Sequence, residues 1–286
     1  MELRTLRYFV AVAEELHFGR AAARLQMSQP PLSRAVKGLE AEIGARLFER
    51  SPAGVALTPV GAVLLDEARA LLDQADRLRV RVAGAAGTAV LTVGLLGDST
   101  DPGVTRLARA YRERHPGVEI RIRETDLTDP TCGVHAGLVD IALTRAPFDE
   151  TGLVVRELRA DPVGALLRAD DPLARRESLR LADLADRRWF RFPAGTDRRW
   201  QSYWNGGAER EGPVVRAVQE CRQAVLWNGT VGMTLTDHDP GDGLTVVPVD
   251  DMPPSRVVVA WKEKEGGGNP LVRSFVRVAV GAYGTD

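Results

Sequence analysis

Apolar residues recur at helical spacing through the first fifty positions. Leu3, Leu6, Phe9, Val10 and Ala13 form one stripe, and Phe18 to Leu25 follows as a short helix rich in small residues. Ala22 and Ala23 there are small enough for two helices to cross closely. A third pattern runs from 28 to 50. Leu32, Val36, Leu39 and Ile43 fall at spacings of four, three and four, one apolar stripe on one helix. Ser28 is placed to cap its N-terminus and Pro30 suits its first turn. Its polar face carries Gln29, Ser33, Arg34 and Lys37. Gln pairs bidentately with adenine, Arg with guanine, and Lys meets phosphate. Helix, short helix, turn, then a polar-faced helix is the order of a helix-turn-helix. Residues 50–58 then read as two short extended pieces around a turn, a wing that places Arg50 to reach phosphate or the minor groove.

Thr58-Pro59 predicts a cap and a first helical position, and the pattern continues as one long helix to about Val82. Leu64, Leu71 and Leu78 repeat every seven residues, with Ala68, Ala75 and Val82 four residues after each. That a/d seam predicts a dimer contact, because a DNA-reading head needs a second head to read a two-part site. Residues 83–88 are small and read as a hinge.

Beyond it the pattern changes to alternating strands and helices. Strands are expected at 90–96, 118–123 (Val118, Ile120 and Ile122 on one face), 141–143, 163–167, 214–215, 232–235 and 257–261. Helices are expected from Pro102 to about His115, at 179–184, 219–228 and 270–283, with a further helix end before Ile141. Such alternation implies a parallel, wound α/β sheet.

Composition narrows the classes. At 286 residues the chain is too long for one DNA-binding module, and 44% hydrophobic residues supply a real core. The formal net charge of −1 excludes a basic nucleic-acid coat; residues 1–58 hold eight Lys/Arg against six Asp/Glu. That small excess predicts modest non-specific DNA affinity. No apolar run is long enough to span a membrane, and the N-terminus lacks a signal peptide's apolar block, so a cytoplasmic protein is expected. The two cysteines, Cys132 and Cys221, are far apart and read as reduced thiols, with redox sensing a minor alternative.

Enzyme chemistry finds no footing. Gly97-Asp98-Ser99-Thr100-Asp101 lacks the final glycine of a nucleophile elbow. The four histidines (His17, His115, His135, His238) show no metal spacing, and no glycine-rich nucleotide motif occurs. The 97–101 loop makes better sense as a ligand clamp, since it follows a strand and precedes a helix. Capping is the plain alternative for its hydroxyls and for Asp101.

Residues 1–58 resemble the winged helix-turn-helix of the LysR-type transcriptional regulators. The matching positions are Phe18-x-Arg20-Ala21-Ala22, Ser28-Gln29-Pro30-x-Leu32-Ser33, Leu39-Glu40-x-x-Ile43-Gly44-x-x-Leu47-Phe48-x-Arg50 and Leu57-Thr58-x-x-Gly61. Gly19 departs from the family, which often has Ser or Thr there to cap the second helix. Looser matches at Asp171-Pro172-Leu173-Ala174, Leu181-Ala182-Asp183-Leu184 and Asn228-Gly229-x-x-Gly232 carry the resemblance over essentially the whole chain.

The resemblance implies an α+β multidomain chain. Its parts are a winged helix-turn-helix (1–58), a linker and dimerisation helix (59–82), a hinge (83–89) and a two-lobed α/β effector domain like a periplasmic binding protein (90–286). Lobe one is expected at 90–160 and 266–286, and lobe two at 161–265. DNA contacts are expected from Ser28, Gln29, Pro30, Pro31, Ser33, Arg34, Lys37, Arg50 and Ser51. The implied effector cleft takes Asp98, Ser99 and Thr100, then Thr125 or Thr128, then Thr144 and Arg145. Lobe two would add Pro193, Thr196, Gly229 and Thr230.

The expected partners are double-stranded promoter DNA, a small-molecule co-inducer of unknown identity and further copies of the chain, as dimer or tetramer. RNA polymerase is a further candidate partner, and no cofactor or metal is expected. Asp98 and Asp101 would repel a carboxylate unless Arg145, Arg198 or Arg199 compensates; otherwise the effector is neutral or cationic. A solute-binding protein is the rival reading of residues 90–286 alone, but export would need a signal peptide.

Overall fold

A computed structural model describes residues 2–25, 27–51, 54–85, 89–97, 101–263 and 269–284. The chain divides into two compact units, Met1–Val82 and Ala83–Asp286.

The first unit orders α1 (Leu3–Glu15), α2 (Phe18–Arg24), α3 (Gln29–Ile43), β1 (Phe48–Ser51), β2 (Gly54–Leu57) and α4 (Pro59–Ala85). Leu6, Phe9 and Val12 of α1 pack on Leu32, Val36 and Leu39 of α3 in one core. Phe48 joins it, its ring 5.4 Å from Phe9 and 5.7 Å from Phe18. The wing is an antiparallel pair with Phe48 opposite Leu57 and Arg50 opposite Val55. Its tip, residues 52–53, and the side chains of Arg50 and Ser51 lie outside what is described.

Four local expectations change here. Ser28 has the extended N-cap backbone but makes no side-chain cap bond. The second and third helical positions are Pro30 and Pro31, which carry no N–H to donate. The second helix is capped by His17, whose Nδ1 accepts the Arg20 N–H at 3.1 Å. A Cβ on Gly19 would stand 2.9 Å from that imidazole, so the missing side chain makes room for the cap. Ile43 is 37% exposed, because α3 ends there and the left-handed Gly44 (φ 76°) turns the chain away. Leu47 fills the core in its place, its N–H and that of Phe48 bonded to the Glu40 carboxylate at 2.8 and 3.3 Å.

The fourth change concerns α4. Thr58 caps it, accepting the Gly61 N–H at 2.9 Å and donating to the Arg46 carbonyl at 2.7 Å. The expected seam is split. Ala68 lies in the core of its own unit, Leu64 packs against that core and Ala75 is half-buried. Leu71, Leu78 and Val82 remain exposed, together with Val60 and Val63. The helix also continues through residues 83–85, where a hinge was expected, since its Ala-rich end favours helix. Residues 86–88 lie outside the described residues.

The second unit holds β3 (Val90–Leu96), α5 (Pro102–Arg114), β4 (Glu119–Thr125), β5 (Ile141–Ala146), β6 (Leu153–Asp161) and β7 (Val163–Arg168). After these come α6 (Arg198–Trp204), α7 (Val218–Asn228), β8 (Gly232–Leu235), β9 (Leu244–Pro248), β10 (Ser255–Lys262) and α8 (Pro270–Tyr283). Two sheets form, ordered β4-β3-β5-β10-β6 and β8-β7-β9. The first, with α5 and α8 packed on each other, is lobe one; the second, with α6 and α7, is lobe two.

The first sheet is mixed where a parallel one was expected. β3 runs parallel to β4 and β5, whereas β10 inserts antiparallel between β5 and β6. Residues 255–262 therefore belong to lobe one, not lobe two, and the chain returns between lobes ahead of β10. No helix precedes β5; successive turns at 127–137 fill that stretch, and the Asp129 carboxylate accepts the N–H groups of Thr131 and Gly133. Val214 makes one isolated bridge to Arg191 instead of a strand. Ile120 and Ile122 are exposed on β4, the edge strand.

Gly61 and Gly38 predict opposite effects. A Cβ at Gly61 would sit 2.2 Å from the Leu47 carbonyl oxygen, while Gly38 in α3 has open space around it. Gly61→Ala should destabilise the first unit by about 1–3 kcal/mol. Gly38→Ala should stabilise it by about 0.5–1 kcal/mol. Calorimetric unfolding of both variants checks the pair of signs.

Candidate DNA-contact face and ligand cavity

On the first unit the polar arc of α3 faces solvent. Ser28, Gln29, Pro30, Arg34 and Lys37 are exposed, and Pro31 and Ser33 half-buried. The neighbouring basic residues of α2 are engaged: Arg24 pairs with Glu14 at 2.8 Å and with Glu15 at 3.3 Å, and Arg20 donates to the Glu15 carbonyl. Arg69 of α4 also reaches Glu14, at 3.1 Å. Arg34 and Lys37 enter no ion pair among the described residues, so their charge is available to an anionic surface.

Within the second unit a cavity of about 180 Å³ lies between the two sheets. Lobe one contributes Leu96, Gly97, Asp101, Thr144, Arg145, Arg159 and Tyr283; lobe two contributes Leu166, Phe190, Phe192, Trp200, Trp204, Cys221 and Met233. Most of the wall is apolar; its polar parts are a charge cluster on lobe one and the group Arg222, Thr234, Asp237 and His238 on lobe two. Asp161 accepts Arg145 Nη2 at 2.7 Å and Arg159 Nη2 at 3.0 Å. Asp101 caps α5 by accepting the Gly103 N–H at 2.8 Å, and it also accepts Arg159 and the Tyr283 hydroxyl, the latter at 3.0 Å. Burial works against ionisation of Asp161, but hydrogen bonds from Arg159 and Arg145 outweigh it and hold this carboxyl below its ordinary range. Burial first, and then the Asp101 charge, push the Tyr283 phenol up, so it stays a donor.

The structure gathers only part of the expected cleft. Thr144 and Arg145 line the cavity, Thr144 donating to the Pro130 carbonyl at 2.6 Å. Asp98, Ser99 and Thr100 lie outside the described residues. Thr125 and Thr128 are spent on turns, donating to the Asp129 carbonyl and the Asp126 carboxylate. Pro193 and Thr196 accept the Gln201 side-chain amide through their carbonyls, and Gly229 is the left-handed cap of α7. Thr230 is buried, and none of these last four is on the cavity wall. Trp200 and Trp204, four apart on one helix, are the lining residues that the hydroxyl-based reading missed.

Both cysteines are buried and free. Burial pushes the Cys132 thiol up to about 11 and Cys221 up to about 12, so neither is a ready thiolate nucleophile. Among the described residues no His, Cys, Asp or Glu cluster is placed to hold a metal, and no helix is long and apolar enough to cross a membrane.

A winged helix-turn-helix followed by a two-lobed α/β unit with a cavity between its sheets defines a recognisable class. The chain matches the family model described as bacterial regulatory helix-turn-helix protein, lysR family, over residues 3–62. It matches the LysR substrate binding domain over residues 85–283. The protein belongs to the LysR family, a family of transcriptional regulators and not of enzymes.

It is 37% identical over 188 residues to the transcriptional regulator AlsR of Bacillus subtilis; that match covers 65% of this chain and 62% of AlsR, so the chain spans under two thirds of that relative. It is 33% identical over 258 residues to the regulator ShiR of Corynebacterium glutamicum, covering 87% of this chain and 86% of ShiR. The crystal structure of full-length BenM, a regulator of Acinetobacter baylyi, matches with a TM-score of 0.56 at 26% identity, covering 99% of this chain and 97% of BenM.

The charge cluster sets a pH expectation. Asp161 has a depressed folded pKa, so its stabilisation is full above the unfolded carboxylate value and is lost as pH falls through the folded one. Asp161→Asn leaves the largely buried Arg145 guanidinium without its carboxylate and Arg159 with Asp101 alone, and should cost about 3 kcal/mol at pH 7. The deficit against the parent should shrink as pH falls below about 4. Urea unfolding of parent and variant between neutral and acid pH tests this; equal stability at pH 7 would remove the cluster from the energetics.

Proposed function

We propose that the protein is a sequence-specific DNA-binding transcriptional regulator controlled by a small molecule bound between the lobes of its second unit. The observation that carries the reading is the pairing of exposed Gln29, Arg34 and Lys37 on a helix-turn-helix with a largely apolar cavity lined by both lobes in one LysR chain. Gln29 and Arg34 read base edges in the major groove, Ser28, Ser33 and Lys37 hold phosphates, Pro30 and Pro31 shape the approach, and Arg50 and Ser51 of the wing contact backbone.

The protein pairs through α4. The exposed Val60, Val63, Leu71, Leu78 and Val82 continue at helical spacing along that helix, which is the face a second copy would cover. Ala68 and Leu64 support the helix from its own unit and do not form the seam. Pairs of pairs give a tetramer. The protein works in the cytoplasm, where promoter DNA and RNA polymerase are its partners. Ligand binding favours one lobe arrangement over another and so shifts the population of DNA-competent assemblies. The domain limits are 1–58, 59–85 and 90–286, with residues 255–262 assigned to lobe one.

Gln29→Ala and Arg34→Ala should each weaken binding to the cognate site by about 1–3 kcal/mol without unfolding the protein. Mobility shifts on DNA from the adjoining intergenic region measure this, and parental affinity in both variants would reject the base-reading role. Leu71→Asp should convert the assembly to a smaller sedimenting species and abolish two-site binding, because it places a charge on the α4 apolar face. A variant that sediments and binds like the parent would move the dimer contact elsewhere.

A further inference from the structure

One carboxylate in the first unit joins α1, α2 and α4. Glu14, near the end of α1, meets Arg24 of α2 at 2.8 Å through one oxygen and Arg69 of α4 at 3.1 Å through the other. Beside it Glu15 takes Arg24 at 3.3 Å and Arg20 at 3.6 Å. The side chains of Glu14, Arg24 and Arg69 are 30%, 45% and 50% exposed. Ion pairs so open to water add little to stability. What they can supply is direction, because a tie on one flank of a helix resists rotation of that helix.

The rotation in question is a roll of α4 about its own axis. This helix meets the core of its unit along one stripe, with Ala68 and Leu72 buried and Leu64 and Leu65 packed beside them. Apolar contact is non-directional, so a single stripe fixes the distance of a helix better than its roll. Successive residues step by about 100° around a helix. Arg69 stands one step past Ala68, on one flank of the stripe. Leu71 stands three steps past it, about 60° round on the other flank, and the exposed Val60 and Leu78 share that side. Turning α4 far enough to open the Arg69–Glu14 pair therefore turns the Leu71 face with it. Through Arg24 the same carboxylate holds α2, which packs on α3. The angle between the exposed apolar face of α4 and the polar arc of α3 is thus set in part at Glu14.

We infer that Arg69 and Glu14 are positioning residues for two-site DNA reading: the Arg24–Glu14–Arg69 tie sets the roll of α4, and with it the half-site spacing that a pair of heads accepts. The inference rests on the reading of α4 as the helix through which two copies pair. Two-fold symmetry applies any roll to both heads at once. One base pair of added spacing turns a half-site by about 35°. Preference between spacings therefore reports the roll, while affinity for one half-site does not.

Full-length parent, Arg69→Met, Arg69→Lys and Glu14→Gln are titrated with fluorescent duplexes of three kinds. These are the two-part site footprinted in the adjoining intergenic DNA, the same site lengthened by one base pair between its halves, and one half-site alone. The readout is the ratio of affinities for the first two. Arg69→Met and Glu14→Gln should each lower it about fivefold. Those substitutions change the charge of the head in opposite directions. A general electrostatic effect moves their affinities, including that for the single half-site, oppositely, whereas loss of the tie lowers the ratio in both. Arg69→Lys keeps the cation and should keep the ratio, and the double variant should lose no more than either single one. Thermal midpoints and sedimentation should match the parent, because the pair is exposed. Should Glu14→Gln not fold, Arg69→Met against Arg69→Lys still decides. Parental ratios in Arg69→Met and Glu14→Gln, ratios moving in opposite directions, or a parent indifferent to the added base pair would overturn the inference. Leu71→Asp tests the underlying reading separately. If that variant stays paired, the copies pair elsewhere and the inference falls with the reading. If it gives single copies while Arg69→Met keeps the parental ratio, pairing through α4 stands and the tie alone is rejected.

Discussion

Asp161 ends β6 one residue before Pro162 and two before the chain enters β7, and there its carboxylate takes up both Arg145 and Arg159. A charge this buried is tolerable only when paired, and pairing it recruits distant parts of the chain. Arg145 comes from β5, Arg159 from β6, Asp101 from the start of α5 and Tyr283 from the end of α8. The cluster thus ties both ends of lobe one to the crossing into lobe two. It also supplies one charged stretch of a largely apolar cavity, whose lobe-two wall carries Arg222, Asp237 and His238 as well. Its members are coupled, since Arg159 is shared by Asp101 and Asp161 and each carboxylate takes more than one donor.

The first unit solves a different problem, how to hold a polar helix in the open. Its core is small, and much of the precision comes from hydrogen bonds at chain turns. Glu40 grips the amides of Leu47 and Phe48, Thr58 bridges Arg46 and Gly61, and His17 caps α2. Glu14 and Glu15 hold Arg20 and Arg24, while Arg34 and Lys37 of α3 enter no ion pair among the described residues. The Pro30-Pro31 pair leaves Ser28 with no amide to cap at the second and third helical positions, and Ser28 is exposed at the start of α3.

The helix order and wing were legible because their signals are local: periodicity, prolines at helix starts and small residues at crossings. The strand at 255–262 was legible as a strand, but its sheet was not. Val257-Val258-Val259 records burial on both faces and nothing about which neighbours supply it; that depends on pairing with distant residues of β5 and β6. The α4 seam was half legible for a similar reason. A heptad pattern records that a residue is apolar, and Ala68 meets that need inside its own unit. At the cavity, hydroxyls were favoured because they are obvious ligand groups, yet Thr125 and Thr128 satisfy the chain's own turns. The useful signal was Trp200 and Trp204 at a four-residue spacing, which puts two large side chains of the cavity wall on one helical face.

The chain passes between the lobes at residues 161–163 and again between β9 and β10, and the cavity wall is drawn from both lobes. On the proposed function, a ligand's differential affinity therefore lies in touching both walls at once. A molecule held by one lobe alone fills the cavity with little preference between arrangements and shifts no population, however tightly it binds.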